Sequence, residues 1–243
     1  MQSSVRLRRS LGVVALAVAG LLVAGACGSS QYRYVADSDT NTYLKVPKDW
    51  TAFDQDDVTN AQVAVGGMGP LGPLDQASML DEKLIDEGLL RRQVEWRMAF
   101  DADPRASLQH VVLPGNQSPV IDVLVRDITD PPELRESMSL ATLQRIFELQ
   151  IAIVQGNTEG EPQLTSTPTI REIRFDDGLR GTRIQAAFPG PDGDTYTLDQ
   201  TALIDGPTER IYVLSIRARE KEYLANYGVL DEIAKSFTVK QNG

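Results

Sequence analysis

The chain has 243 residues, 42% hydrophobic and 24% charged, a size and balance that suit one large or two small globular domains with a core needing no disulfide or metal. Its formal charge of −10 sets nucleic-acid binding aside, because such a surface repels phosphate. The single cysteine, Cys27, excludes an internal disulfide, a thiol redox pair and a cysteine-rich zinc site.

The N-terminus reads as a targeting segment. Arg6, Arg8 and Arg9 make residues 1–9 basic, and residues 11–23, LGVVALAVAGLLV, are uncharged and apolar. A run of ~13–16 residues falls short of the ~20 that span a bilayer as a helix, so it reads as the apolar region of a signal peptide. Ala24-Gly25-Ala26-Cys27-Gly28-Ser29-Ser30 follows. Small residues before a cysteine resemble the lipobox of bacterial lipoproteins, where the peptidase cuts just before a cysteine that already carries a diacylglycerol thioether. The common pattern has Leu three positions before the cysteine, and Ala24 stands there instead. The resemblance implies a signal peptide over 1–26, lipidation of Cys27, and a chain held on the extracytoplasmic face of the cell membrane. Two acyl chains give stable anchoring where one gives marginal binding. The alternative is plain secretion after Ala26, leaving Cys27 a free thiol. Without the three leader arginines, the exported part holds 21 basic and 34 acidic residues, a balance of −13.

Residues 27–41 are expected to be the lipidated cysteine and a polar tether, with the folded domain over 42–243. Thr42–Val46 alternates and is closed by Pro47, which predicts a strand ending in a turn. Trp50–Phe53 starts the next element, and Asp54, Asp56 and Asp57 are expected in a loop. Residues 65–74, VGGMGPLGPL, hold four glycines and two prolines and cannot form a helix or central strand. Ser78 with Asp81 resembles a capping box for a short helix ended by Gly88. Gln93–Phe100 and Pro119–Ile128 read as strands. The clearest helix is 133–155, with Leu140, Leu143, Phe147, Ile151 and Val154 at helical spacing and Gly156 as its stop. Four strand runs follow, Thr169–Phe175, Leu179–Phe188, Thr195–Ile204 and Arg210–Arg217. They are separated by Asp176-Asp177-Gly178, by Pro189–Gly193 and by Asp205-Gly206-Pro207, as in an antiparallel meander. The last run is apolar on both faces, as a central strand covered on each side would be. Glu220–Lys235 is helical in pattern and Ser236–Val239 a short final strand. These elements predict an α+β fold: one domain, mainly an antiparallel sheet covered by two principal helices.

Two pieces carry a family resemblance. Tyr43-Leu44-Lys45-Val46-Pro47-Lys48-Asp49-Trp50, and the ending of strand 211–217, helix 220–235 and Ser236-Phe237-Thr238-Val239, resemble the PsbP-like fold. That fold includes extrinsic photosystem II subunits and actinobacterial envelope lipoproteins of the LpqN type. The resemblance implies an α/β/α sandwich and a binding or assembly role, and it carries no catalytic residue.

Motifs for chemistry are sparse. His110 is the sole histidine, so any histidine-based triad would have to use it; Leu108–Val112 places it at a loop-to-strand edge, where a satisfied histidine is expected. There is no Gly-x-Ser-x-Gly, His-Glu-x-x-His or phosphate-binding Gly-Lys-Ser/Thr. Asp192-Gly193-Asp194 begins like a calcium loop, but Tyr196 takes the next ligand position and no terminal Glu follows. Asp54, Asp56 and Asp57 are a second acidic group, and Asp176-Asp177 suits a turn. Met68, Leu71 and Leu74 of the 65–74 loop either cover a sheet edge or form a docking patch. The expectation is therefore a non-enzymatic, membrane-anchored lipoprotein without cofactor or metal. It would bind or stabilise an envelope protein partner; the alternative is an envelope carrier or receptor for a small or lipidic ligand.

Overall fold

The structure, a computed structural model, describes residues 31–64, 94–113, 117–129, 132–155, 161–175, 178–207 and 209–240. The signal segment, Cys27, the 65–74 loop, the short helix expected from Ser78 to Gly88, Gly156 and the Asp176-Asp177 pair lie outside the described residues.

Among the described residues, ten strands form two antiparallel sheets, in accord with an α+β class. The larger has the order β3-β4-β5-β9-β8-β7-β6. Its strands are β3 (Thr51–Phe53), β4 (Val94–Asp101), β5 (Val120–Asp127), β6 (Thr169–Arg174), β7 (Arg180–Pro189), β8 (Thr195–Ile204) and β9 (Arg210–Arg219). The predicted meander is present as β6-β7-β8-β9, with each strand paired to the next. β9 is the central strand, and Ile211, Tyr212, Val213, Leu214 and Ile216 are all buried. Its two apolar faces thus meet protein on both sides.

One face is covered by helices. Here α1 (Gln55–Ala64) and α2 (Leu108–Val112) lie beside β4 and β5, and α4 (Leu140–Val154) lies over β7 and β8. Leu143, Ile146, Phe147 and Ile151 recur every three or four residues, so one stripe of α4 meets Leu124, Ile184, Phe188, Ala202 and Val213. The expected 133–155 helix is divided into α3 (Pro132–Ser137) and α4. Ser139 causes the break: its Oγ accepts the Thr142 N–H at 3.1 Å, which starts a new helix.

The other face is covered by α5 (Glu220–Ala225), α6 (Tyr227–Ser236) and a second sheet of order β1-β2-β10. That sheet comprises β1 (Tyr32–Asp37), β2 (Thr42–Pro47) and β10 (Thr238–Val239). Leu44, Val46 and Trp50 meet Phe100, Ile121, Leu214 and Ile216 there, with Leu230, Ile233 and Phe237 closing the layer. Burying Phe100 completely contributes roughly 2–3 kcal/mol. The predicted 220–235 helix is split at Asn226, whose side-chain Nδ2 donates to the Glu222 carbonyl at 2.8 Å.

Two expectations are corrected. Tyr32–Asp37, assigned to the tether, is β1 and pairs along its whole length with β2. Its apolarity is inverted: Arg33 turns inward, 5.5 Å from the Phe100 ring centroid, and Tyr34 turns out. Residues 55–64, begun by the acids expected in a loop, are helical. Asp54 Oδ1 accepts the Asp57 N–H at 3.0 Å and caps α1, and Asp56 and Asp57 sit in the first turn, where the helix dipole favours negative charge.

Candidate functional site

Several polar groups of the helix-covered face gather toward the end of the sheet where β4 and β9 finish and β5 and β8 begin. Alternation along each strand puts Asp122, Ser215 and Gln200 side by side across β5, β9 and β8, because Asp122 pairs with Ser215 and Ser215 with Gln200. Gln200 Nε2 donates to Gln150 Oε1 of α4 at 2.8 Å and lies 3.2 Å from Ser215 Oγ. Arg97 grips Asp122 with two hydrogen bonds, 3.0 Å from Nε and 2.6 Å from Nη2. Paired in this way, a buried guanidinium keeps its charge without an exposed partner.

One strand step further, Asp101 is fully buried at the end of β4. Its Oδ1 accepts the Asp103 N–H at 2.9 Å, and its Oδ2 accepts the Ser107 N–H at 3.0 Å and faces His110 Nδ1 at 2.7 Å. One buried carboxylate thus ties His110 to the 102–107 loop. His110 stands on α2, a short helix where a loop-to-strand edge was expected. A buried aspartate that orients a histidine is also the rear half of a hydrolytic triad. Here the same carboxylate fixes two backbone amides of the 102–107 loop, and Ser118 Oγ donates to Asp103 at 3.0 Å. The Arg105 N–H and that hydroxyl hold the Asp103 carboxyl below the usual carboxylate range. Arg217 completes the frame, donating to the Val111 carbonyl at 2.8 Å and to the His110 carbonyl at 3.3 Å at the end of α2.

The β7–β8 turn closes the same end. Gly193 has φ +83°, a conformation glycine adopts freely, which is why Asp192-Gly193-Asp194 turns as predicted. Arg219 bridges Asp192 and Asp194, each at 2.8 Å, and Tyr196 Oη donates to Asp192 at 2.8 Å. A guanidinium therefore occupies the position a cation would take in the calcium-loop reading. Among the described residues, no three His, Cys, Asp or Glu side chains form a group that could hold a metal ion.

On the opposite face, a charged network that no sequence motif announced lies under α5 and α6. Arg183 donates to Asp199 twice, at 2.9 and 2.7 Å, and to Asp231 at 2.8 Å. Tyr223 Oη donates to Asp199 at 2.6 Å, and Lys235 bridges Asp231 at 2.6 Å. Hydrogen bonding to Asp199 pushes the Arg183 guanidinium up, and burial pushes the Tyr223 phenol up. The signal available in the sequence was faint: Arg183 and Asp199 occupy core-facing positions of strands with otherwise ordinary patterning. In both regions the geometry favours rigid positioning, since each carboxylate described is matched by donors from neighbouring elements.

No family model matches the chain, and no curated protein matches it in sequence. In arrangement it is similar to the solution structure of cyanobacterial PsbP from Synechocystis, at 10% identity and a TM-score of 0.45, over 89% of this chain and 96% of that one. It is similar also to LpqN of Mycobacterium tuberculosis, described as involved in cell envelope biogenesis, at 12% identity and a TM-score of 0.44, over 87% and 91% of the two chains. A third likeness is to the Ran-binding protein Mog1p of Saccharomyces cerevisiae, at 13% identity and a TM-score of 0.36, over 86% and 95%. These likenesses describe arrangement alone.

Proposed function

We propose that this chain is an extracytoplasmic lipoprotein, acylated at Cys27, whose domain acts by binding and not by catalysis, holding or stabilising a protein partner at the envelope. The observation that carries the reading is the order of residues 1–27: three arginines, an apolar run too short to span, then small residues ending at the only cysteine. The domain supports a binding role in one respect. Buried Arg97 and Arg183 are held in ion pairs with Asp122, Asp199 and Asp231, and Asp101, the buried carboxylate beside the sole histidine, is used to fix a loop.

The test is intact mass and membrane fractionation of the native protein beside Cys27→Ser. The expected result is a membrane-bound chain that begins at Cys27 and is heavier by two or three acyl chains, with the variant unprocessed or mislocalised. A soluble chain of unmodified mass contradicts the proposal.

A further inference from the structure

The outward face of the small sheet differs from the rest of an acidic surface. Alternation along β1 turns Arg33 and Val35 toward the core and Tyr32, Tyr34 and Ala36 outward, opposite Lys45 and Tyr43 of β2. Tyr34 is 84% exposed. Lys45 Nζ lies 4.8 Å from the Tyr32 ring centroid, and Lys240 Nζ lies 4.6 Å from that of Tyr43. Lys48 is exposed, and its backbone N–H is tied to the Gln31 carbonyl at 3.0 Å, beside the point where the chain leads back to Cys27. Glu232 of α6, which reaches this face, is bound to Lys45 at 2.7 Å. Aromatic rings and lysines are thus gathered on one surface of a domain whose exported part carries a balance of −13.

The distance to the anchor is short. Cys27 precedes Tyr32 by five residues, which at full extension reach ~17 Å. A domain of this size is roughly 40 Å across. A lipid on Cys27 therefore keeps Tyr32, the first residue of β1, within half a domain's width of the bilayer, and the far side of the molecule cannot be the side that meets it.

We propose that the tyrosine–lysine face of the β1-β2-β10 sheet is the surface on which the domain rests against an anionic lipid bilayer, a placement that depends on acylation of Cys27. Tyrosine suits the headgroup level because its ring is apolar and its hydroxyl wet. Lysine lays its stem along apolar surface and its ammonium on phosphate. The acidic remainder of the domain is repelled by the same lipids, so the face sets orientation while the acyl chains supply attachment.

The experiment uses the full chain, acylated in its host and reconstituted into phosphatidylcholine vesicles with or without phosphatidylglycerol. A nitroxide is placed at Ala36→Cys, with Arg171→Cys on exposed β6 as the control; the Cys27 sulfur is blocked by its thioether. Intact mass of each sample reports acylation. In anionic vesicles the label at 36 is expected to be shielded from a water-soluble relaxation agent, while the label at 171 is not. Tyr34→Ser with Lys240→Ala is expected to reduce that shielding, the lysine alone by about fivefold, without releasing the protein from the vesicles. An acylated chain whose label at 36 is as wet as that at 171 overturns this surface and leaves the anchor standing. An unacylated mass overturns the anchor and this placement with it. Shielding in native envelope membranes but not in lipid vesicles overturns the lipid occupant in favour of a protein.

Discussion

Asp199 is 1% exposed and accepts hydrogen bonds from Arg183 and Tyr223, so three side chains from β7, β8 and α5 share one interior charge balance. Removing one member leaves the others buried without their partner. Asp199→Ala is expected to cost about 3–5 kcal/mol, and Tyr223→Phe about 2 kcal/mol, both read from denaturant unfolding. Equal small losses for both would show that Asp231 alone suffices for Arg183. Gly181 is a second single-residue constraint. A Cβ there would run into the Ala202 carbonyl and within 2.8 Å of the Leu203 Cα on β8, and that backbone has no room to yield. Gly181→Ala is expected to lower stability by about 3 kcal/mol, and a thermal midpoint equal to the wild type's would refute the close approach.

At the scale of elements, side-chain caps decide where helices begin. Ser139 starts α4 and Asp54 starts α1. Ser139→Ala is expected to destabilise the domain by about 1 kcal/mol, measured by chemical denaturation, and Ser139→Asp to restore it. An unchanged midpoint in the alanine variant would show that packing alone holds the start of α4. The meander was legible because Asp192-Gly193 and Asp205-Gly206-Pro207 are turn chemistry between alternating runs. The apolar stripe of α4 was legible because its period survives burial. β1 was not, because Arg33 faces the core and Tyr34 the solvent, which reverses the usual sign of the alternation. α1 was hidden by its acids, which read as a loop until the cap at Asp54 is seen. His110 illustrates the site: one histidine could be read as satisfied from its count and neighbours, but its partner Asp101 lies nine residues away and only the fold brings them to 2.7 Å. The Arg183–Asp199–Asp231 network spans 48 residues of sequence between its ends and leaves no local pattern.

The whole molecule inherits a pH profile from these burials. Tyr212 is pushed up to about 12, chiefly by burial, and Tyr196 and Tyr223 are raised as well. A raised phenol stabilises the fold fully below the unfolded value of about 10, and that contribution is lost as pH rises through the folded value. Asp231 is lowered by Lys235 and Arg183, and Glu232 by Lys45. Their contribution is present above an unfolded value of about 4 and is lost as pH falls through the lower folded values. Stability is therefore expected to be flat between about pH 5 and 9 and to fall on both sides. In the alkaline limb, the tyrosinate absorbance due to Tyr212, read as the difference from the Tyr212→Phe variant, should rise together with loss of ellipticity. Ionisation of Tyr212 near pH 10 in a fully folded protein would contradict the burial of its ring.

Attachment through Cys27 is tested by the intact mass of the protein recovered from its native membrane. The expected mass is that of a chain starting at Cys27 with two or three acyl chains added. A chain recovered from the soluble fraction with no added mass, its Cys27 thiol open to alkylation, would contradict it.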